Sequence, residues 1–369
     1  MSNMCYHPWV GLDINPQGEF KPCCKYQNNL SDNLDDYLAS PELDQLRKDF
    51  LNNKRPTGCN SCWVDEDAGL PSKRTIDNKY IFAEQAPSLN SLKVLSLPFG
   101  NTCNLACRTC SSLASSRWGQ EERKLKKYFP DITILGHKKF YKDSNYIEKI
   151  KNISTELIDI TFPGGEPFIT GIPQQLEFLD FLLETNPENI TINYITNTTT
   201  FPPEEFWDKW GRFKQINIQL SVDGIEEVFE YTRWPASWNE CYTNIKRYQQ
   251  MQEIHGNLRL SISHTVSVFN IFNIQDFFIW CLKEKLPEPY IGMVHYPEYY
   301  SIKILPPQIK EKIKEKITSK KFDFVINYMD QTNSDEFVFD TTIKWIKSVD
   351  KLRNQNFSTL RSEFAEFLK

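Results

Sequence analysis

Apolar residues recur along this chain in two alternating rhythms. Short runs in which apolar positions cluster or alternate with polar ones fall at Leu92–Leu97, Leu157–Phe162, Ile190–Ile195, Ile216–Val222, Leu258–Val268 and Tyr290–Val294. Each has the length and β-branched content of a strand. Between them lie segments with helical spacing, among them Gln174–Thr185 and Glu204–Phe213. Six strand–helix units predict a parallel α/β sheet curled into an open, partial (β/α)6 barrel. In Asn217-Ile218-Gln219-Leu220-Ser221 the polar residues share one face, as do Arg259, Ser261 and Ser263. Parallel strands are normally covered on both sides, so a polar face predicts a lumen that receives a polar ligand.

The first ninety residues follow another pattern. Leu12-Asp13-Ile14, a turn at Asn15-Pro16-Gln17-Gly18 and Glu19-Phe20-Lys21 predict a short hairpin, followed by a helix over Leu43–Leu51. At the other end, Ile309, Ile313 and Ile317 lie four apart among lysines and glutamates, which predicts an amphipathic helix over Gln308–Lys321 with a solvated face. A last helix is expected over Phe357–Leu368, covering the barrel.

Composition narrows the class. The 369 residues are 40% hydrophobic and 14% aromatic, enough for a large packed core and more than one unit. A net charge of −5 gives no general attraction to nucleic acid. No run of eighteen apolar residues and no charged-then-apolar leader is present, so a cytoplasmic protein with no membrane association is expected.

Ten cysteines supply the chemistry. A disulfide framework suits small secreted domains, and thiols of a cytosolic chain stay reduced. Cys241 and Cys281 stand alone and are expected in the core. Cys103, Cys107 and Cys110 form a C-x3-C-x2-C run just past the first barrel strand. Three thiolates can hold three irons of a four-iron, four-sulfur cluster and leave the fourth open for a small ligand. Near the N-terminus, Cys5, Cys23, Cys24 and the Cys59-x2-Cys62 clip offer a second site. Its spacing fits tetrahedral zinc as well as iron–sulfur. Cys23 and Cys24 are adjacent, so one is a ligand and the other a spare.

The unusual clusters fall at strand ends, where barrels of this kind place their active sites. Pro163-Gly164-Gly165-Glu166-Pro167 follows the second strand, Asn197 the third, and Ser221-Val222-Asp223-Gly224 the fourth. His264 and His295 lie late in the fifth and sixth and are candidates for proton transfer. His7 is expected beside the Cys5 site, and His137 and His255 in loops.

Together Cys103-x3-Cys107-x2-Cys110, Gly164–Pro167 and Ser221–Gly224 resemble the radical S-adenosylmethionine (radical SAM) superfamily over roughly residues 90–300. The resemblance implies a core [4Fe-4S] cluster whose open iron is chelated by the amino and carboxylate groups of SAM. It implies that Gly164, Gly165, Glu166 and Pro167 contact the SAM amino group, Ser221 and Asp223 lie near the ribose, Asn197 sits at the third strand end, and Arg233 meets the SAM carboxylate. Thr109 stands where many members carry an aromatic residue, which loosens the expected packing around the adenine. Residues 1–75 resemble the SPASM/twitch auxiliary-cluster module, placed here before the barrel of residues 76–300 and the helical extension of residues 301–369. That resemblance favours an auxiliary [4Fe-4S] cluster on Cys5, Cys23, Cys59 and Cys62 over zinc. The implied activity is reductive SAM cleavage to a 5′-deoxyadenosyl radical that takes hydrogen from a peptide, protein or small molecule, with a flavodoxin or ferredoxin as reductant. The alternative is a noncatalytic iron–sulfur or zinc scaffold that retains the fold.

Overall fold

The computed structural model describes residues 3–67, 69, 71–81, 91–134, 144–331 and 335–369. Its centre is one eight-stranded sheet in the order β2-β1-β3-β4-β5-β6-β7-β8. The strands are β1 (Gly11–Ile14), β2 (Phe20–Lys21), β3 (Val94–Ser96), β4 (Asp159–Phe162), β5 (Thr191–Thr196), β6 (Gln215–Ser221), β7 (Leu258–Val266) and β8 (Tyr290–Met293). β3 to β8 are the six expected strands, all parallel. The expected hairpin is β1–β2. It does not stand apart from the barrel, because β1 pairs in parallel with β3 and lengthens the sheet by two strands.

Helices cover the outer face. α1 (Pro41–Leu51), α2 (Asn60–Asp67) and α3 (Lys73–Tyr80) belong to the N-terminal region. α4 (Ser116–Leu125) follows the cysteine run, and α5 (Ile172–Leu183), α6 (Glu204–Trp210), α7 (Trp238–Ile254) and α8 (Ile274–Lys283) alternate with strands. Strand parity explains the layering. On β6, Ile216, Ile218 and Leu220 are buried toward the helices, while Asn217, Gln219 and Ser221 stay partly open on the lumen side. Register aligns the same parity across the sheet: Lys21, Asp13, Ser96, Thr161, Asn193, Asn217 and Arg259 are successive neighbours at one level.

The C-terminal extension contains α9 (Pro307–Lys316) and α10 (Glu336–Arg353). α10 starts at Asp335, whose side chain accepts from the amides of Phe337 and Val338, and it buries Phe339, Ile343, Ile346 and Val349. The last segment departs from expectation. Instead of one helix over Phe357–Leu368, a single helical turn at Phe357–Leu360 is followed by a 3-10 turn at Ser362–Phe364. Arg361 breaks the helix with an extended backbone (φ −135°, ψ 84°), which lets Phe357 and Phe364 both enter the same core. Among the described residues no helix is long and apolar enough to cross a membrane.

Candidate active site

A cavity of about 580 Å³ runs along the lumen, from Gly164, Gly165, Asn197 and Ser221 at the carboxyl ends of the strands to Val94 and Asp159 at the start of theirs. Cys103, Cys107 and Cys110 all line it. Burial pushes the Cys103 thiol up to about 12, and the nearby Cys107 adds to the rise. Cys107 and Cys110 are raised for the same first reason. Free thiols here are therefore neutral, and only a metal offsets the cost of holding three thiolates together. N–H groups already point at the sulfurs: Leu105 N lies 3.4 Å and Asn197 Nδ2 3.7 Å from Cys103 Sγ, and Arg233 Nη1 3.9 Å from Cys107 Sγ. The donor set fits a cluster bound at three positions.

The glycine pair holds this loop against the strand ends. Gly165 N donates to Gly100 O (3.1 Å) and Glu166 N to Thr102 O (2.9 Å). A Cβ on Gly165 would stand 2.1 Å from Thr102 O, so only glycine permits the approach. Gly164 has φ +129°, in the region that favours glycine.

The N-terminal thiols separate into two groups. Cys5, Cys23, Cys59 and Cys62 surround one small hollow beside Tyr26, Phe50 and Arg74. Burial raises the Cys5 thiol to about 12. Cys59 is raised by burial first and then by Cys23 and Cys62. Cys24 is not in that hollow. It faces the large cavity beside Lys73, while Cys23 borders both spaces. Four thiols around one hollow fit a four-thiolate group.

No family model matches the chain. A cysteine-type anaerobic sulfatase-maturating enzyme from Clostridium novyi (strain NT) is 28% identical over 208 residues, covering 53% of this chain and 52% of the relative. The matching enzyme from Clostridium perfringens (strain ATCC 13124) is 24% identical over 209 residues, with 52% of each chain covered. Over about half its length the chain is similar to these maturating enzymes. It spans about half the length of the curated relatives it matches. Among solved structures, native anSMEcpe with bound AdoMet aligns at TM-score 0.43 and 16% identity over 69% of this chain and 66% of that one. Streptococcus suis SuiB bound to its precursor peptide SuiA aligns at 0.38 and 14% over 89% and 55%.

Of the residues expected to contact SAM, the structure brings Gly164, Gly165, Asn197, Ser221 and Arg233 into the cavity with the three thiols. Glu166 is fully buried behind them and accepts from Asn197 N, Thr196 Oγ1, Thr200 Oγ1 and Phe168 N. Pro167 is outside the cavity lining, and its carbonyl accepts from Gln175 Nε2 (2.6 Å). Asp223 is buried and ion-paired to Arg233 Nη2 (2.8 Å), so it reaches the cavity only through that guanidinium. Neither histidine candidate lines the cavity. His264 shares the helix-facing parity of Leu258, Leu260 and Ile262 and is fully buried, stacked on Phe277 with Nδ1 3.0 Å from Val222 O. Desolvation lowers its pKa and keeps the ring neutral. His295 is exposed, with Nδ1 3.1 Å from Tyr328 Oη and Nε2 3.5 Å from Asp65. His7 bonds to Asp77 (2.6 Å), and His255 stacks on Trp207; His137 lies outside the described residues.

Sequence reasoning missed the far end of the cavity, lined by Asp13, Lys21, Lys73 and Asp159. Lys73 is paired with Asp77 (2.6 Å), and Lys21 stands 3.9 Å from Asp13. Asp159 has no ion-pair partner among the described residues. An amide chain ends on it instead: Gln215 Nε2 donates to Asn217 Oδ1 (2.6 Å), Asn217 Nδ2 to Asn193 Oδ1 (2.8 Å), and Asn193 Nδ2 to Asp159 Oδ1 (3.0 Å). Burial raises Asp159 from 3.8 to about 6, against the smaller opposing effect of Asn193. Its folded pKa exceeds the unfolded one, so its contribution is most favourable below pH 4 and is lost as pH rises through 6. Asp159→Asn keeps the acceptor for Asn193 and removes this cost. It is expected to stabilise the fold by up to ~3 kcal/mol at pH 7.5, with the gain shrinking toward pH 5. Urea unfolding at the two pH values checks it; equal or lower stability of the variant at pH 7.5 would contradict it.

Proposed function

We propose that this chain is a radical SAM enzyme that cleaves SAM reductively and removes hydrogen from a peptide or protein substrate. The observation that carries the reading is the meeting of three unpaired thiols with Gly164, Gly165, Asn197, Ser221 and Arg233 on the wall of one cavity. Cys103, Cys107 and Cys110 would hold the core [4Fe-4S] cluster, and Cys5, Cys23, Cys59 and Cys62 an auxiliary one. When bound, cluster and SAM supply the one-electron chemistry that breaks a carbon–sulfur bond and yields a hydrogen-abstracting adenosyl radical. The chain's own groups orient and enclose. The Gly164–Gly165 backbone offers a close approach for the SAM amino group. Arg233, held by Asp223, presents a fixed cation to the SAM carboxylate. Ser221 offers a hydroxyl to the ribose. The polar far end, with Asp159 and Lys73, is where a polar group of the substrate would rest.

A peptide or protein substrate is favoured over a small molecule because the curated relatives are, by name, maturating enzymes for sulfatases. Residues 1–75, 76–300 and 301–369 would act as auxiliary module, core and extension. A flavodoxin or ferredoxin would supply the electron, and the free cysteines suit a reducing cytoplasm. The auxiliary cluster would accept an electron from the substrate radical or hold the substrate. Anaerobic reconstitution with iron and sulfide, reduction with dithionite and assay for 5′-deoxyadenosine tests the reading. Formation of 5′-deoxyadenosine is expected. A chain that assembles its core cluster and never cleaves SAM would instead be a noncatalytic iron–sulfur scaffold.

A further inference from the structure

The C-terminal extension reaches the cysteine run from across the molecule. Arg108, between Cys107 and Cys110, is fully buried. Its Nη2 donates to Asp350 Oδ1 on α10 and to Gln355 Oε1 (2.8 Å) just beyond that helix. Its guanidinium lies 3.9 Å over the Tyr231 ring, and Tyr231 Oη donates to the same Asp350 oxygen (2.9 Å). Asp350 Oδ2 accepts from Phe357 N (2.7 Å), which ties the terminal turn to the same carboxylate. One helical turn on from Asp350, Arg353 Nη2 donates to the carbonyl of Ala106 (2.7 Å) while its Nε bonds Glu121 (2.8 Å).

The remaining backbone groups of the run are held as firmly. Leu105 O accepts from Ser115 Oγ (2.6 Å), and Cys107 O from Trp118 Nε1 (2.5 Å). Ala106 N and Arg108 N donate to Trp234 O and Thr232 O, each at 2.7 Å. A loop that must present sulfurs at fixed spacing gains from such anchoring, because each anchor removes a direction in which it can relax. Two of the anchors, Asp350 and Arg353, sit outside the barrel sequence altogether. The two guanidiniums also stand near enough for Arg108 to depress the Arg353 pKa, after burial, so the carboxylates of Asp350 and Glu121 balance two like charges.

We propose that α10 is a positioning clamp for the Cys103–Cys110 run: Asp350 and Arg353 fix the loop and balance the buried cations beside the core cluster. This rests on the functional reading above. Asp350→Asn keeps the size of the side chain but leaves Arg108 uncompensated. Reduction adds negative charge to a cluster, so an unbalanced cation nearby favours the reduced form and moves the midpoint potential upward. Arg353→Ala frees the Ala106 carbonyl, and Arg353→Lys restores a donor there.

The test uses the full chain, reconstituted anaerobically, with iron per chain, thermal unfolding, the midpoint potential from an EPR-monitored redox titration, and the change in the EPR spectrum on adding SAM. Asp350→Asn is expected to keep its iron and shift the potential of the SAM-responsive cluster upward. Arg353→Ala should weaken the SAM-induced spectral change, and Arg353→Lys should recover it. If Asp350→Asn does not fold, the Arg353 pair decides alone. Variants identical to wild type in potential and in SAM response overturn the clamp. A wild-type chain with no SAM-responsive cluster overturns the functional reading itself, and the two failures are distinct.

Discussion

Alanine at Cys107 is expected to abolish 5′-deoxyadenosine formation, whereas alanine at Cys23 costs the chain its auxiliary iron and leaves SAM cleavage measurable. Cys107 lines the large cavity between Cys103 and Cys110, and the remaining two thiols cannot hold a four-iron core. Cys23 borders the second hollow with Cys5, Cys59 and Cys62. Its loss should lower iron by about four atoms per chain, the content of one cluster. Cys24→Ala is the informative control. Cys24 faces Lys73 and the cavity, outside the hollow, so iron should stay at the wild-type level. Iron analysis and the 5′-deoxyadenosine assay on the three proteins check all of this. Loss of the same iron from Cys24→Ala as from Cys23→Ala would refute the assignment. Because Cys24 shares the cavity with Asp159 and Lys73, a fall in substrate turnover without a fall in iron would mark it as part of the substrate wall.

Strand positions were legible because apolar alternation is local. β3 to β8 overlap the expected runs, with only Thr196 of β5 and Gln215 of β6 one residue outside them, and the hairpin at Asp13–Lys21 was marked by its Pro-Gln-Gly turn. The meeting of the three motifs at one end of the sheet was legible for a similar reason: each lies at or just past the end of an apolar run. What could not be read is what depends on register between distant segments. Nothing in Leu12-Asp13-Ile14 says that β1 pairs with β3, yet that pairing brings Asp13 level with Ser96 and Thr161 and makes the N-terminal region part of the cavity wall. Asp159 was hidden in the same way, since its role appears only when Asn193 and Asn217 line up beside it. His264 shows the reverse error. Its place near a strand end was readable, but one residue of parity separates lumen from core, and it falls with Ile262 on the buried side. The clamp from α10 was invisible because Arg108 and Asp350 are 242 residues apart.

Glu166→Ala is expected to be the most destabilising single change near the site. The carboxylate is fully buried, and burial alone raises its pKa. What keeps it tolerable is a set of donors: Asn197 N at 2.7 Å, Thr196 Oγ1 at 2.8 Å, Thr200 Oγ1 at 2.9 Å and Phe168 N at 3.3 Å. Alanine removes the acceptor and strands these donors away from water, each at about 1–3 kcal/mol before relaxation. A net loss of about 3–5 kcal/mol is expected, the range for breaking a buried charged network. Glu166→Gln should fall between, because its Oε1 still serves one side while its NH2 meets donors on the other. The damage should also reach the cluster loop, since Asn197 carries the Nδ2 that lies 3.7 Å from Cys103 Sγ and 2.8 Å from Asn104 Oδ1. Urea unfolding of the three proteins, with iron per chain measured alongside, tests the ordering. An alanine variant within about 1 kcal/mol of wild type would mean that water reaches these donors and that the burial argument for Glu166 is wrong.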